Sequence, residues 1–253
     1  MRLRAGAEDD RGVRVDPHLA HQYASNPFLV AKAGPLYYEN GYTGTGELRA
    51  VAMLVELFTR MGKNATIKSS QNITTSDLQQ HTLILLGSPS QNPALDQLPV
   101  SGDMRFLIAS PRHELWGSQI INAHPFPGKK SYYQTERNPV SGALQADYSM
   151  LSVQPSILPG HFIAIMGGLD TTGTEGAAIY ATSASGGAYL SGVLGGSNME
   201  SSKRYTHGFQ ALLYVRLEKG SQVLDVNVAA IHPFPDSKSV FGSSASALLS
   251  SSH

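Results

Sequence analysis

The sequence predicts an α/β fold: a Rossmann-like three-layer core with a mostly parallel sheet, an antiparallel β extension and a C-terminal hairpin. Two unalternating apolar runs, residues 82–86 and 162–166, each end in glycine before a polar loop. Such runs are typical of neighbouring central strands that are covered on both faces. Apolar and polar residues alternate over residues 209–217 and 223–231, which predicts the closing hairpin.

Composition restricts the function classes before any motif is considered. The 253 residues are 41% hydrophobic and carry 19 basic and 19 acidic side chains. This balance gives no general attraction to nucleic acid or to an acidic membrane surface. No apolar run reaches the roughly 18 residues that span a bilayer, and no secretory signal precedes the domain. We therefore expect a cytoplasmic protein without nucleic-acid or membrane partners.

The chain is divided by composition into a flexible leader, one domain and a tail. Residues 1–26 mix charges without periodicity, and eight of the seventeen residues from 237 to 253 are serine. We expect residues 1–26 to be a leader, residues 27–235 to form a single α/β domain, and residues 236–253 to be disordered. With no cysteine in the chain, disulfides, thiolate metal sites and cysteine nucleophiles are excluded, and we expect neither metal nor cofactor.

Residues 41–61 predict a long helix that begins between Thr43 and Glu47 and ends at a left-handed Gly62. Its expected buried face consists of Leu48, Val51, Ala52, Val55 and Phe58, widened by Leu54, Leu57 and Met61, so that most of the helix is expected to be buried. Replacing Val55 with Asp should then cost several kcal/mol. A strand over residues 65–69 and a short helical turn within residues 74–80 follow.

The middle and the end of the domain carry shorter elements. Four aromatic or β-branched runs predict the antiparallel extension, and they are residues 104–110, 119–122, 131–135 and 148–153. Helices are expected over residues 174–181 and 188–194.

Two glycine-rich segments open helices in a similar way, one over residues 41–47 and one over residues 168–177. The free amides of a helix start can hold phosphate or carboxylate. Because Glu47 and Glu175 would repel a phosphate, a neutral or carbonyl-bearing group fits as well as an anion does. The alternative without a ligand is a capping box between Thr172 and Glu175. Neither segment matches a P-loop or a dinucleotide fingerprint.

The expected ligand site lies where the carboxyl ends of the parallel strands meet the first turns of the two helices. Small and hydroxyl side chains leave room there, and an asparagine supplies both a donor and an acceptor. The candidate residues are Thr43, Thr45, Gly87, Ser88, Asn92, Leu169, Asp170, Thr171, Thr174 and Glu175.

Other patterns carry less information. His18 and His21 have the spacing of a metal pair but no third ligand nearby. The motif His-Pro-Phe-Pro occurs twice, from His124 and from His232, and its prolines favour a strand-exit turn. The sequence around Ser88 is not that of a nucleophile elbow, so a hydrolase triad is not expected.

Several motifs resemble an acidobacterial-type bacterial domain of hypothetical proteins, whose relatives are sometimes attached to winged-helix regulators. The matching motifs are Gly46-Glu47-Leu48-Arg49-Ala50, Arg60-Met61-Gly62-Lys63, Leu83-Ile84-Leu85-Leu86-Gly87-Ser88-Pro89, Asp147-Tyr148 and Gly173-Thr174-Glu175-Gly176-Ala177-Ala178. The resemblance covers residues 35–231 and implies no activity. Such relatives have an apolar strand before the first helix, where this chain is weakly apolar, so a degraded strand and a truncated gene product are both open.

The function we expect is non-catalytic binding or sensing of a small molecule. An enzyme acting on a nucleotide-like or glycosidic substrate, with Glu175, Asp170 or Glu47 as acid or base, is the first alternative. A structural or oligomerisation module is the second, and a homo-oligomer is compatible with all three.

Overall fold

The computed structural model describes residues 43–89, 91, 92, 94, 95, 98, 102–107, 118–156, 161–188, 208–219 and 222–234, together with the backbone of residues 3–5 and 36–38. The expected tail at 236–253 lies outside these residues, as do most of the leader and most of the helix expected at 188–194. The elements are β1 Leu3–Ala5, β2 Leu36–Tyr38, α1 Thr45–Arg60, α2 Thr75–Gln80, β3 Leu83–Leu86, β4 Met104–Leu107, β5 Gln119–Asn122, β6 Tyr132–Tyr133, β7 Glu136–Arg137, β8 Leu144–Pro155, β9 Phe162–Gly168, α3 Thr171–Thr182, β10 Phe209–Glu218 and β11 Gln222–Pro233.

A mixed sheet with strand order β11-β10-β8-β9-β3 forms the centre of the fold, and β7 pairs with β8. Only β3 and β9 run parallel among the described strands; β8 is antiparallel to both of its long neighbours. The α/β class is confirmed, whereas the mostly parallel sheet was a wrong expectation and the Rossmann-like arrangement is not confirmed. The physical reason is that the two apolar runs form only one parallel pair, and β8, β10 and β11 extend the same sheet in antiparallel directions under a cover on both faces.

The two apolar runs that predicted the sheet are neighbours. Leu86 of β3 is in register with Met166 of β9, and the Gly87 amide donates to the Met166 carbonyl at 2.9 Å. Their loops therefore leave from the same end of the sheet, as expected. The expectation that both are central strands is wrong for β3, which is the last strand of this sheet among the described residues.

The two faces of the mixed sheet are covered differently. Helices α1 and α3 cover one face, and α2 with a second sheet, β4-β5-β6, covers the other. The helix-side core contains Ala50, Leu54, Leu151, Met166, Ala177, Ala178, Phe209, Ala211 and Leu213. The opposite core includes Leu78, Leu85, Met104, Ile120, Tyr133, Met150, Ile165 and Leu212.

Helix α1 begins and ends as the sequence predicts. It starts at Thr45, and Gly62 follows it at a φ of 65°. The Gly62 amide donates to Thr59 at 3.0 Å and the Lys63 amide to Phe58 at 2.8 Å, the pair of bonds that defines a Schellman motif. A left-handed residue is required there, and glycine adopts that conformation without strain.

The buried face of α1 agrees with the expected one only in part, at Leu54 and at Phe58, which packs against the helix-side core. The buried residues are Gly46, Glu47, Ala50 and Leu54, whereas Leu48 is 64% exposed and Val55 is half-buried. Apolar residues occur around most of this helix, so periodicity alone did not identify the contact side. We therefore expect Val55→Asp to reduce the free energy of unfolding by less than the sequence predicted, because a carboxylate at a half-buried site can reach water.

The remaining elements agree with the sequence in part. The hairpin of β10 and β11 is confirmed, and so is the separate antiparallel sheet. Residues 65–69 form no strand, and the run at 148–153 belongs to β8 at the centre of the mixed sheet. Helix α3 begins at Thr171, three residues before the expected start.

The contact side of α1 can be tested by truncating a buried residue. Leu54→Ala should lower the free energy of unfolding by about 2–5 kcal/mol, because the cavity lies between the two helices and the sheet. Val140→Ala, at a site 95% exposed, should change it by less than about 0.5 kcal/mol. Urea unfolding of both variants measures this, and equal losses would contradict the described face.

Candidate functional site

The first turns of α1 and α3 lie against each other. The Gly46 amide donates to Thr171 Oγ1 at 2.9 Å, and the Thr171 hydroxyl in turn donates to Glu47 Oε2. A Cβ on Gly46 would lie 1.9 Å from the Thr171 carbonyl oxygen, so only glycine allows the helices to come this close. We call this contact of Gly46, Glu47 and Thr171 the helix junction.

Asp147 fixes the start of α3 to the central strand. This β8 side chain is fully buried, and its Oδ2 accepts from the Gly173 amide at 2.6 Å, the Asp170 amide at 3.0 Å and Thr172 Oγ1 at 3.2 Å. Its Oδ1 accepts from the Tyr148 amide at 2.7 Å. Donors at a helix start are otherwise unpaired, so the carboxyl group satisfies them from a neighbouring strand.

The environment of Asp147 also changes its titration. Burial and the charge of the Asp170 carboxylate raise the pKa of Asp147 to about 7, although the backbone hydrogen bonds act in the opposite direction. The carboxyl group thus exchanges its proton near neutral pH while holding the first turn of α3.

Glu47 is a further buried acid at the helix junction. Its side chain is 6% exposed, and while Oε2 accepts from Thr171, the enclosed Oε1 has no hydrogen-bond partner among the described residues. Gly44, the N-cap residue of α1, provides no side chain to cap the helix. Thr43 and Thr45 are exposed beside it. Within the described part of the chain, this acceptor beside the first turn of α1 is therefore unused.

Two arginines contact the acids around the junction. Arg49 Nη1 lies 3.1 Å from both carboxylate oxygens of Glu175, which joins the second turns of the two helices. Arg137 Nη2 of β7 lies 3.9 Å from Asp170 Oδ2. Because Arg49 is mostly exposed, its ion pair adds modest stability and mainly determines orientation.

The predicted residues that follow β3 lie in a loop held by hydrogen bonds within the loop and to the end of β3. Asn92 Nδ2 donates to the Leu86 carbonyl at 2.9 Å, and Asn92 Oδ1 accepts from the Ala94 amide at 3.1 Å. The carbonyl of the buried Ser88 accepts from the Asn92 amide, and Gly87 has a φ of 90°. The structure places Gly87, Ser88 and Asn92 together beside the end of β9.

The predicted residues at the start of α3 are also drawn together. Leu169 donates its amide to the Tyr148 carbonyl, and the buried Thr174 accepts from the Gly168 amide through Oγ1 at 3.1 Å. Asp170 is the N-cap residue, and its Oδ1 accepts from the Thr171 amide. The junction brings this group next to the helix start that carries Thr43 and Thr45. Ligand binding at these ten residues stays a prediction.

The alternative of a Thr172 to Glu175 capping box is wrong. Glu175 pairs with Arg49, and the capping oxygens come from Asp170 and Asp147. Sequence reasoning missed the role of Asp147. A lone acid in an otherwise apolar strand was the available signal, because a buried carboxyl group requires donors.

The histidines of the two His-Pro-Phe-Pro motifs lie together at Asp103, away from the helix junction. His124 Nδ1 and His232 Nδ1 donate to the two oxygens of Asp103 at 2.7 and 2.8 Å. The ring of Phe126 stacks on His232 with centroids 4.5 Å apart. Since Asp103 precedes β4 and His232 lies in β11, the repeat fastens the second sheet to the mixed sheet.

Comparison of the chain with family models, with curated proteins and with solved structures finds no match. The resemblance to an acidobacterial-type domain therefore stays a prediction. Within the described residues, no three His, Asp or Glu side chains are arranged to hold a metal ion. None of the helices in the described part of the chain has the length and apolar character to cross a membrane. The cytoplasmic location also stays a prediction.

The titration of Asp147 predicts a specific dependence of stability on pH. Between its ordinary value of 3.8 and about 7, folded Asp147 keeps a proton that the unfolded chain releases. Its contribution to the free energy of unfolding is thus fully present below this range and is lost toward its upper end, by about 1.4 kcal/mol per pH unit.

Asp147→Asn has no such proton, so its stability should decline less across the same range. Urea unfolding of both proteins at a series of pH values measures the difference. Parallel pH profiles would show that Asp147 titrates outside this range.

Proposed function

We propose that this chain binds or senses a small molecule at the helix junction, without catalysing its conversion. The observation that carries the proposal is Glu47 Oε1, an enclosed carboxylate oxygen that none of the described residues hydrogen-bonds. Leaving a buried acceptor unpaired costs about 1–3 kcal/mol. An N–H or O–H group of a ligand would remove that cost, which makes this oxygen a natural recognition point.

The charges around the junction favour one kind of ligand. Three further carboxyl groups, those of Asp147, Asp170 and Glu175, lie on or around the first turn of α3, and Arg49 and Arg137 offset them only in part. A phosphate or carboxylate would be repelled by this set. We therefore propose a neutral or cationic ligand that offers hydroxyl or ammonium donors, rather than an anion or a bare carbonyl group.

Binding is favoured over catalysis because most acids of the site already have partners. Asp147 accepts four hydrogen bonds, so both of its oxygens are already engaged within the protein. Glu175 is held by Arg49, and Asp170 caps α3. General acid–base catalysis requires a group within hydrogen-bond reach of the substrate. Of the acids proposed for an enzyme, Glu47 has a buried oxygen that no described residue hydrogen-bonds, whereas Asp170 Oδ2 lies 3.9 Å from Arg137 Nη2.

A ligand screen on three proteins tests the proposal. Primary amines, polyols and inorganic phosphate are each added to the parent protein, to Glu47→Gln and to the control Glu56→Gln, which changes an exposed acid of the same helix. We expect an amine or a polyol to raise Tm by several degrees in the parent and the control, since ligand at a hundred times Kd adds about 2.7 kcal/mol.

The same compound should give no shift with Glu47→Gln, because the amide cannot offer a charged acceptor. Stabilisation that persists in Glu47→Gln would place the site elsewhere. Stabilisation by phosphate alone, lost in neither variant, would overturn the ligand class as well.

A further inference from the structure

A short chain of hydrogen bonds joins Asp147 to the helix junction. Asp147 Oδ2 accepts from the Asp170 amide at 3.0 Å, and Asp170 Oδ1 accepts from the Thr171 amide at 2.7 Å. The Thr171 hydroxyl donates to Glu47 Oε2, while Glu47 Oε1 has no partner among the described residues. A change of charge at Asp147 therefore acts on Glu47 through the protein interior, where electrostatic screening is weak.

The described charged groups around Asp147 are mostly acidic. They come from α1, from α3 with its N-cap and from β7, and they are Glu47, Arg49, Asp170, Glu175 and Arg137. Strand β9 contains no charged residue, and the β10 residue paired with Asp147 is Val215. Glu136 of β7 accepts from the Tyr148 and Tyr214 hydroxyls on the other face of the sheet. With its four carboxyl groups ionised, the cluster has four negative charges against two arginines, an excess of two.

A proton on Asp147 and a cation at Glu47 reduce the same excess of negative charge. Burial and the charge of Asp170 raise the pKa of Asp147 to about 7, so below this pH the proton neutralises one carboxylate of the cluster. A cation that accepts the free Glu47 Oε1 as its partner brings a positive charge close to Asp147, which favours the ionised form. The proton and the cation therefore disfavour each other, although they occupy different places.

Resting on the function proposed above, we infer that the helix junction takes a cation rather than a neutral polyol, and that binding of the cation displaces the proton of Asp147 into water. Below about pH 7 the affinity for the cation then decreases as the pH falls, by at most about tenfold per pH unit, because one proton must leave. Above this pH the proton is already absent and the affinity is constant. A neutral ligand leaves the charge of the cluster unchanged, so its affinity does not follow the proton.

NMR titrations with one charged and one neutral probe test this linkage. n-Butylammonium, which keeps its charge throughout, and glycerol are added to the parent protein at about pH 5.5 and about pH 8, at constant ionic strength. The chemical shifts of the Gly46 and Thr171 amides, both at the junction, give the Kd of each probe. We expect the Kd of n-butylammonium to be several-fold smaller at the higher pH, and glycerol to bind more weakly without a dependence on pH.

Two variants assign the proton to Asp147. Asp147→Asn has no titrating group there, so n-butylammonium should bind equally well at both pH values. Asp170→Asn leaves the anchor itself intact and keeps a side chain that can cap α3, but it removes the charge that opposes ionisation of Asp147. Its affinity should therefore change at a lower pH than that of the parent. Glu56→Gln, a change at an exposed acid of the same helix, should keep the parental profile.

The outcomes separate the linkage from the ligand site. Equal affinity of the parent for n-butylammonium at both pH values would overturn the linkage and leave the site in place. A pH profile shared by the parent, Asp147→Asn and Asp170→Asn would assign the proton to another group and overturn the role of Asp147. Tighter binding of glycerol than of n-butylammonium would overturn the choice of a cation, and the absence of any shift at Gly46 with either probe would overturn the site and the linkage together.

Discussion

The carboxyl group of Asp147 is the contact on which the helix layer depends. It reaches from the central strand β8 to the amides of Asp170 and Gly173 and to the hydroxyl of Thr172, so the first turn of α3 is fixed to the sheet. Without it, the Asp170 amide and the Thr172 hydroxyl would lose this buried acceptor, and the Gly173 amide would keep only the Asp170 carbonyl at 3.1 Å. A strand residue thus accepts hydrogen bonds from the first turn of a helix, as the N-cap side chain of that helix usually does.

From this anchored turn the position of α1 follows. Thr171 is the first residue of α3, and its hydroxyl accepts from Gly46 and donates to Glu47. The close approach demands glycine at position 46, and it buries Glu47 with one oxygen that no residue in the described part of the chain hydrogen-bonds. The feature that we propose as the recognition point is thus a consequence of the packing that Asp147 sets up.

The sequence predicted the features that depend on neighbouring residues. The start of α1, its end at Gly62, the hairpin and the pairing of β3 with β9 were recovered because each leaves a local pattern of glycine, alternation or continuous apolar residues. The place of β8 in the mixed sheet, the full contact side of α1 and the partners of Asp147 were not. These depend on residues distant in the chain; Asp147 and Gly173 are 26 positions apart.

Amide hydrogen exchange at Gly173 tests the role of Asp147 most directly. If Asp147 holds the first turn of α3, the Gly173 amide should exchange as slowly as the amides that pair β8 with β10. Asp147→Ala should then accelerate exchange at Gly173 at least tenfold more than exchange at Ala211 in β10. A tenfold difference corresponds to about 1.4 kcal/mol of local protection. Equal acceleration at Gly173 and Ala211 would contradict the account, because the substitution would then only lower global stability.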